Sequence, residues 1–116
     1  TSIIKSKQYS PEEIRIAIEQ EQLVNFYQPK VNIKTLKVTG VESLVRWNHP
    51  TDGMVYPDQF ISVSEEFGLI NDLTKLVAKN AISQLKKWHD NDIHLRVAIN
   101  LSMDDLASID FVDFML

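Results

Sequence analysis

From Ser10 onward the chain alternates stretches of helical period with stretches of period two. Ser10-Pro11-Glu12-Glu13 reads as a helix start, with Ser as the cap, Pro at the first helical position and Glu13 closing a capping box. Ile14, Ala17 and Ile18 then share one face, and the helix is expected to end near Gln20 to Gln22. From Leu23 to Ile33 the pattern turns β-like. Phe26 to Ile33 reads as a strand in which Pro29, lacking an N–H, calls for an edge position or a bulge. Lys34 and Thr35 fit a turn, and Leu36 to Trp47 reads as a second strand, antiparallel to the first because the connection is short. Period two places Val38, Gly40, Glu42, Leu44 and Arg46 on one face and Lys37, Thr39, Val41, Ser43, Val45 and Trp47 on the other.

Asn48 to Gly53 is loop chemistry. Pro57 opens a helix with Phe60, Ile61 and Val63 apolar, and Gly68 is placed to stop it in a left-handed conformation. Asn71 or Asp72 is expected to cap a longer helix carrying Leu73, Leu76, Val77, Ala81, Leu85 and Trp88 at helical spacing. A short strand follows, with Leu95, Val97 and Ile99 alternating with Arg96, Ala98 and Asn100. Ser102 with Asp105 reads as the next cap, leading into a helix through Leu106. Ile109, Phe111, Val112, Phe114, Met115 and Leu116 form a dense apolar cluster that calls for a partner surface. The order is that of an α/β chain, and parallel strands joined by helices must be covered on both faces or closed into a barrel. With one clear βα unit after the hairpin, the architecture is expected to be incomplete at Leu116, residues 1–9 being a lead-in and 10–116 the domain portion.

Composition narrows the function. The 116 residues allow one domain at most, and 44% apolar with 24% charged residues is the balance of a packed core. No cysteine is present, which excludes disulfides and thiolate metal sites and fits a reducing, cytoplasmic setting. The net charge of −4 gives no general attraction to bulk nucleic acid or to an anionic membrane. No apolar run reaches the ~18 residues that span a bilayer. The chain opens on Thr1 without a signal pattern, which reads as a piece of a longer protein.

Glu42 is the residue that most needs an explanation. An acid in mid-strand, beside Val38 and Leu44, is costly unless paired or bound to a metal. Arg46 and Lys30 are the available cations, but residues four apart along a strand are roughly 13 Å apart. That separation argues against a direct contact with Arg46 and toward a ligand or metal lying between. Asn100 stands at a strand's C-terminal end, where α/β sheets and barrels build their sites, although Asn there is equally a cap. Gln28 is a third polar group within an apolar stretch. His49, His89 and His94 show no ligand-like spacing, Glu65 and Glu66 fit a solvated helix face, and Trp47 and Trp88 fit a core.

Taken together, Tyr27-Gln28-Pro29-Lys30, Gly40-Val41-Glu42-Ser43-Leu44-Val45-Arg46-Trp47, His49-Pro50, Gly53, Pro57, Phe60-Ile61, Glu65-Glu66, Gly68-Leu69-Ile70, Trp88 and Asn100-Leu101-Ser102 closely resemble the EAL domain in order and spacing. The resemblance runs from about Ile14 to the end of the chain. It implies the N-terminal half of a modified TIM barrel whose first strand runs antiparallel, as the hairpin does here. A whole barrel takes roughly 250 residues, so about half is missing.

The same resemblance implies a cyclic di-GMP phosphodiesterase that hydrolyses the cyclic dinucleotide to linear pGpG with Mg²⁺ or Mn²⁺. The alternative is a degenerate EAL-type receptor that binds the ligand without cutting it. Glu42 is implied as the catalytic metal ligand, Asn100 as the next ligand and Arg46 as a phosphate contact, with Gln28, Leu44 and Pro50 lining the ligand groove. Ser43 replaces the motif's central Ala, on the face opposite Glu42. The family's remaining carboxylates and catalytic lysine belong to the half that is missing, so this chain alone is expected to be inactive. The expected partners are cyclic di-GMP, the missing half, a second copy of the chain, and a regulatory or sensory domain in the parent protein.

Overall fold

The computed structural model describes residues 8–101 and 108–111. Helix α1 (Pro11–Glu19) begins as its sequence specifies: Ser10 Oγ accepts from Glu13 N at 3.2 Å, and Glu13 Oε1 accepts in return from Ser10 N at 3.1 Å. Strands β1 (Leu23–Val31) and β2 (Val38–His49) pair antiparallel, Leu23 opposite Trp47 and Gln28 opposite Glu42. β1 lies at the edge of the sheet, where Pro29 is tolerated, and the ladder slips between Lys30 and Val31. Ile33 and Leu36 fall outside the strands. Asn32 Oδ1 accepts from the amides of Lys34 and Thr35, and Leu36 takes a left-handed φ of 58° to reverse the chain.

β2 runs on past Trp47 into the stretch expected as loop. It is followed by the three-residue β3 (Gly53–Val55), which pairs antiparallel with Trp47–His49. So short a strand carries no legible period. Pro57 opens a single 3-10 turn (Pro57–Gln59), and α2 (Ile61–Glu66) starts only after Phe60. Gly68 then stops it as expected, at φ 74°, with Leu69 N bonding back to Ser64 O at 2.8 Å. The long helix α3 (Ile70–Asp90) begins one turn-fraction earlier than expected: Leu69 is its cap residue and supplies no side-chain bond, so Asn71 and Asp72 lie inside the helix.

Strand β4 (Val97–Asn100) pairs parallel with β2, so the connection through α3 is a βα unit laid beside the antiparallel hairpin. β5 (Ser108–Phe111) pairs antiparallel along the other side of β4 and takes up the edge that a half barrel would leave open there. The expected cap at Ser102, the helix through Leu106 and the cluster beyond Phe111 lie outside the described residues.

The faces of β2 divide as period two predicts. Val41, Ser43, Val45 and Trp47 are buried, whereas Glu42, Leu44 and Arg46 are half-buried on the opposite side. The buried face meets Leu73, Leu76, Val77, Ala81 and Leu85 of α3, each of these apolar side chains contributing about 1.5–3 kcal/mol when large and fully enclosed. Ile14 and Ala17 of α1 close the same core, and Trp47, 1% exposed, packs edge-on to Phe60. Trp88 is half-buried and meets Tyr27 edge to face. Glu65 and Glu66 are exposed, as a solvated helix face should be.

One polar bridge crosses this interface. Asn25 Nδ2 donates to Ser43 Oγ at 2.9 Å and to Val77 O at 3.0 Å, while Asn80 Nδ2 donates to Asn25 Oδ1 at 3.2 Å. Ser43 is therefore fully buried yet satisfied.

Tyr9, in the expected lead-in, is 3% exposed, stacked near Trp47 and His49, and donates its hydroxyl to Asp52 Oδ2 at 2.6 Å. Burial first, and then the Asp52 carboxylate, push that hydroxyl up from 10.0 to about 12. Among the described residues no helix is long and apolar enough to cross a membrane.

Candidate functional site

The half-buried face of the sheet carries the polar residues. Gln28, Glu42 and Ala98 form one row across β1, β2 and β4, Phe26, Leu44 and Asn100 form the next, and Val24 with Arg46 follows. Because partners in a ladder share a face, strand register alone brings Glu42 and Asn100 together from 58 residues apart in sequence. Asn100 Nδ2 lies 3.4 Å from Glu42 Oε2. Gln28 is exposed beside Glu42 on the edge strand.

Neither sequence-level candidate for a salt bridge to Glu42 forms one among the described residues. Arg46 Nη1 instead donates to Val45 O at 2.8 Å, and its guanidinium lies over the Tyr56 ring, 4.8 Å from the centroid. The Glu42 carboxylate is thus half-buried with no side-chain cation on it among the described residues, a setting in which a bound cation offsets the desolvation cost. Its companion Asn100 adds an amide oxygen once the amide is turned over. Carboxylate and amide oxygens are hard donors suited to Mg²⁺ or Mn²⁺. They fit as part of a ligand set. Among the described residues no three His, Cys, Asp or Glu side chains gather to complete one.

A groove of about 310 Å³ opens on this face, lined by Leu44, Arg46, Tyr56, Pro57, Asp58, Asn100 and Leu101. It lies at the C-terminal ends of the parallel strands β2 and β4, the end at which barrels build their sites. A second hollow, of about 260 Å³, lies at the other end of these strands beside Lys30, Gly40 and Arg96, and contains neither Glu42 nor Asn100.

Of the residues singled out from sequence, Leu44, Arg46 and Asn100 share the groove, and Glu42 and Gln28 stand on the same face. Pro50 sits apart, in the β2–β3 turn, where it lines a shallow apolar depression with Glu13, Ile16, Gln22, Trp47, His49 and Thr51. His49 is not a free loop residue. Its Nδ1 accepts from Thr51 N at 3.1 Å and Asp52 N at 3.0 Å, which shapes that turn. Tyr56 and Asp58 reach the groove through β3 and the 3-10 turn, elements the period does not reveal. The available signal was an exposed aromatic placed directly before Pro57.

Comparison with known proteins agrees with this arrangement. The EAL domain family model matches residues 11–116. The cyclic di-GMP phosphodiesterase PdeR of Escherichia coli (strain K12) is 45% identical over 94 residues, covering 81% of this chain and 14% of PdeR. The bifunctional diguanylate cyclase/cyclic di-GMP phosphodiesterase MucR of Pseudomonas aeruginosa is 38% identical over 102 residues, 87% of this chain and 15% of MucR. The chain thus spans about a seventh of the length of these curated relatives. Among solved structures, the PaMucR phosphodiesterase in complex with c-di-GMP superposes with a TM-score of 0.69 at 39% identity, over 78% of this chain and 37% of that one. The FimX EAL domain of Xanthomonas citri, at 22% identity, shares the fold with a TM-score of 0.67 over 76% of this chain and 34% of its own. With the family model matching residues 11–116 and these relatives covering most of its length, the chain belongs to the EAL domain family and forms part of its TIM-barrel-like fold.

Proposed function

We propose that this chain is the metal- and phosphate-binding part of a cyclic di-GMP phosphodiesterase domain, which hydrolyses the cyclic dinucleotide to the linear pGpG. The observation that carries the proposal is the pairing of Glu42 with Asn100 across β2 and β4, beside a groove edged by Arg46. Relatives named as cyclic di-GMP phosphodiesterases support it.

Glu42 and Asn100 would hold a Mg²⁺ or Mn²⁺ ion together with ligands from the rest of the barrel. Such an ion supplies Lewis acidity toward a phosphodiester and a nucleophile at neutral pH. Arg46 holds a phosphate oxygen by charge-assisted hydrogen bonds, its planar head already oriented by Tyr56. Leu44 gives the groove an apolar floor and Gln28, opposite Glu42 on β1, extends the polar face, whereas Pro50, in the β2–β3 turn, lies outside the groove. The setting proposed is the cytoplasm, with a regulatory or sensory domain and cyclic di-GMP as partners, and with the remainder of the barrel, or a second copy, completing the sheet.

The receptor reading gains nothing from Ser43, whose hydroxyl is turned into the helix-covered core and bonded to Asn25. Incubation of the full-length protein with cyclic di-GMP and Mn²⁺ tests the proposal. Linear product is expected, and Glu42→Ala should abolish it. Tight binding without product would establish the receptor instead, and no binding would end both readings. The isolated chain of 116 residues is expected to show no turnover.

A further inference from the structure

His89 and His94, five apart in sequence and without ligand-like spacing, meet at the end of α3. The helix closes in a Schellman motif: Asn91 is the cap residue, Asp92 turns left-handed at φ 62°, Asp92 N bonds to His89 O at 2.9 Å and Ile93 N to Trp88 O at 2.8 Å. This reversal folds His94 back over the last helical turn. The two Nδ1 atoms stand 3.1 Å apart, with the rings nearly perpendicular at 80°. On the far side of His94, Nε2 lies 3.1 Å from Asp92 Oδ1. A carboxylate only accepts, so Nε2 carries the proton and the His94 Nδ1 lone pair points toward His89.

We propose that His89 and His94 form a binding site for a borderline divalent transition ion such as Zn²⁺, Ni²⁺ or Cu²⁺, with Asp92 as its outer-shell carboxylate. Metal–imidazole bonds run about 2.0–2.1 Å, so two such nitrogens on one ion are separated by about 2.9 Å at a right angle and about 3.3 Å at the tetrahedral angle. The observed spacing falls between these values. The Asp92–His94 contact is the carboxylate–histidine arrangement that fixes ring orientation and raises ligand basicity at metal centres. The site also crowns a helix C-terminus, where the backbone dipole favours a cation. The His94 side chain is 51% exposed, so an ion can reach its ring from solvent. Metal binding requires the proton between the two Nδ1 atoms to leave, so affinity should rise with pH. Borderline imidazole donors separate this site from the hard oxygen site at Glu42, and it does not depend on the phosphodiesterase reading.

The test is calorimetric titration of the full-length protein with Ni²⁺ or Zn²⁺ in excess Mg²⁺, followed by electron paramagnetic resonance with Cu²⁺. The wild type is expected to bind one more equivalent than the His89→Ala/His94→Ala double variant, and the Cu²⁺ spectrum should show nitrogen coupling that the double variant lacks. Asp92→Asn, which keeps a residue tolerant of the left-handed turn, should weaken that equivalent about tenfold. His49→Ala should leave it unchanged. Equal stoichiometry in wild type and double variant, or an equivalent lost with His49 instead, would overturn the proposal.

Discussion

The Arg46 guanidinium lies over the face of Tyr56, 4.8 Å from the ring centroid, at the rim of the groove that also holds Asn100. A planar cation on an aromatic face is held in one orientation, here with Nη1 bonded to Val45 O and the side chain lining the groove. In the full-length protein, Arg46→Ala should therefore raise KM for cyclic di-GMP by about ten- to a hundredfold, the equivalent of losing one or two charge-assisted hydrogen bonds. Tyr56→Leu should raise it only about two- to fivefold, since it removes the orientation and keeps the charge. Steady-state kinetics on both variants checks the order, and a larger effect from Tyr56→Leu would show that the ring contacts the ligand itself.

Ser43→Ala removes one hydrogen bond and leaves Asn25 bonded to Val77 O. The expected loss of stability is about 1 kcal/mol, measured by urea denaturation. Because Ser43 and Glu42 stand on opposite faces, Mn²⁺ affinity should not change. A fall in affinity would mean that the two faces of β2 are coupled.

Tyr9 makes stability depend on alkaline pH. Its folded-state pKa, raised to about 12 from 10.0 by burial and then by Asp52, lies above the unfolded value, so folding favours the protonated hydroxyl. The contribution is fully present below pH 10 and is lost as pH rises toward about 12. Tyr27, raised by burial in the same direction, adds to the slope. Subtracting the pH profile of Tyr9→Phe from that of the wild type should isolate the Tyr9 part, and identical slopes would show that its hydroxyl ionises freely in the folded protein.

Glu21 follows the cap of α1 at φ 53°, with Glu21 N bonding to Ile18 O at 3.2 Å and Gln22 N to Ala17 O at 2.8 Å. A non-glycine residue pays for this left-handed position. Glu21→Gly should stabilise the fold by about 1 kcal/mol in thermal or chemical denaturation. The exposed Glu21–Lys79 ion pair at 3.4 Å is worth too little to reverse the sign. Replacement of Gly68 by Ala, at φ 74°, should act in the opposite direction.

Much of the fold was legible because it rests on local rules. Ser10 through Glu13 spell out a helix start, Gly68 a helix stop, and period two along Val38 to Trp47 separates the buried face from the one that bears Glu42 and Arg46. The end of α1 fell where expected, at cap residue Gln20, but its device was not legible: Glu21 and Asp92 perform the turn of Gly68 without being glycine, and α3 starts at Ile70 with no capping side chain. β3 was missed because three residues show no period. At the site, Glu42 stood out as a charge in an apolar strand, whereas Tyr56, Asp58 and the His89–His94 pair carried no comparable signal.

The sequence by itself determined which face of β2 is polar and that Glu42 needs a partner, since side-chain alternation and the cost of burying a charge are properties of the local chain. Only the tertiary structure decided which partner. A parallel ladder laid Asn100 beside Glu42 and left Arg46 to stack on Tyr56, and that register depends on α3 docking over the opposite face, a long-range packing outcome that no local spacing encodes.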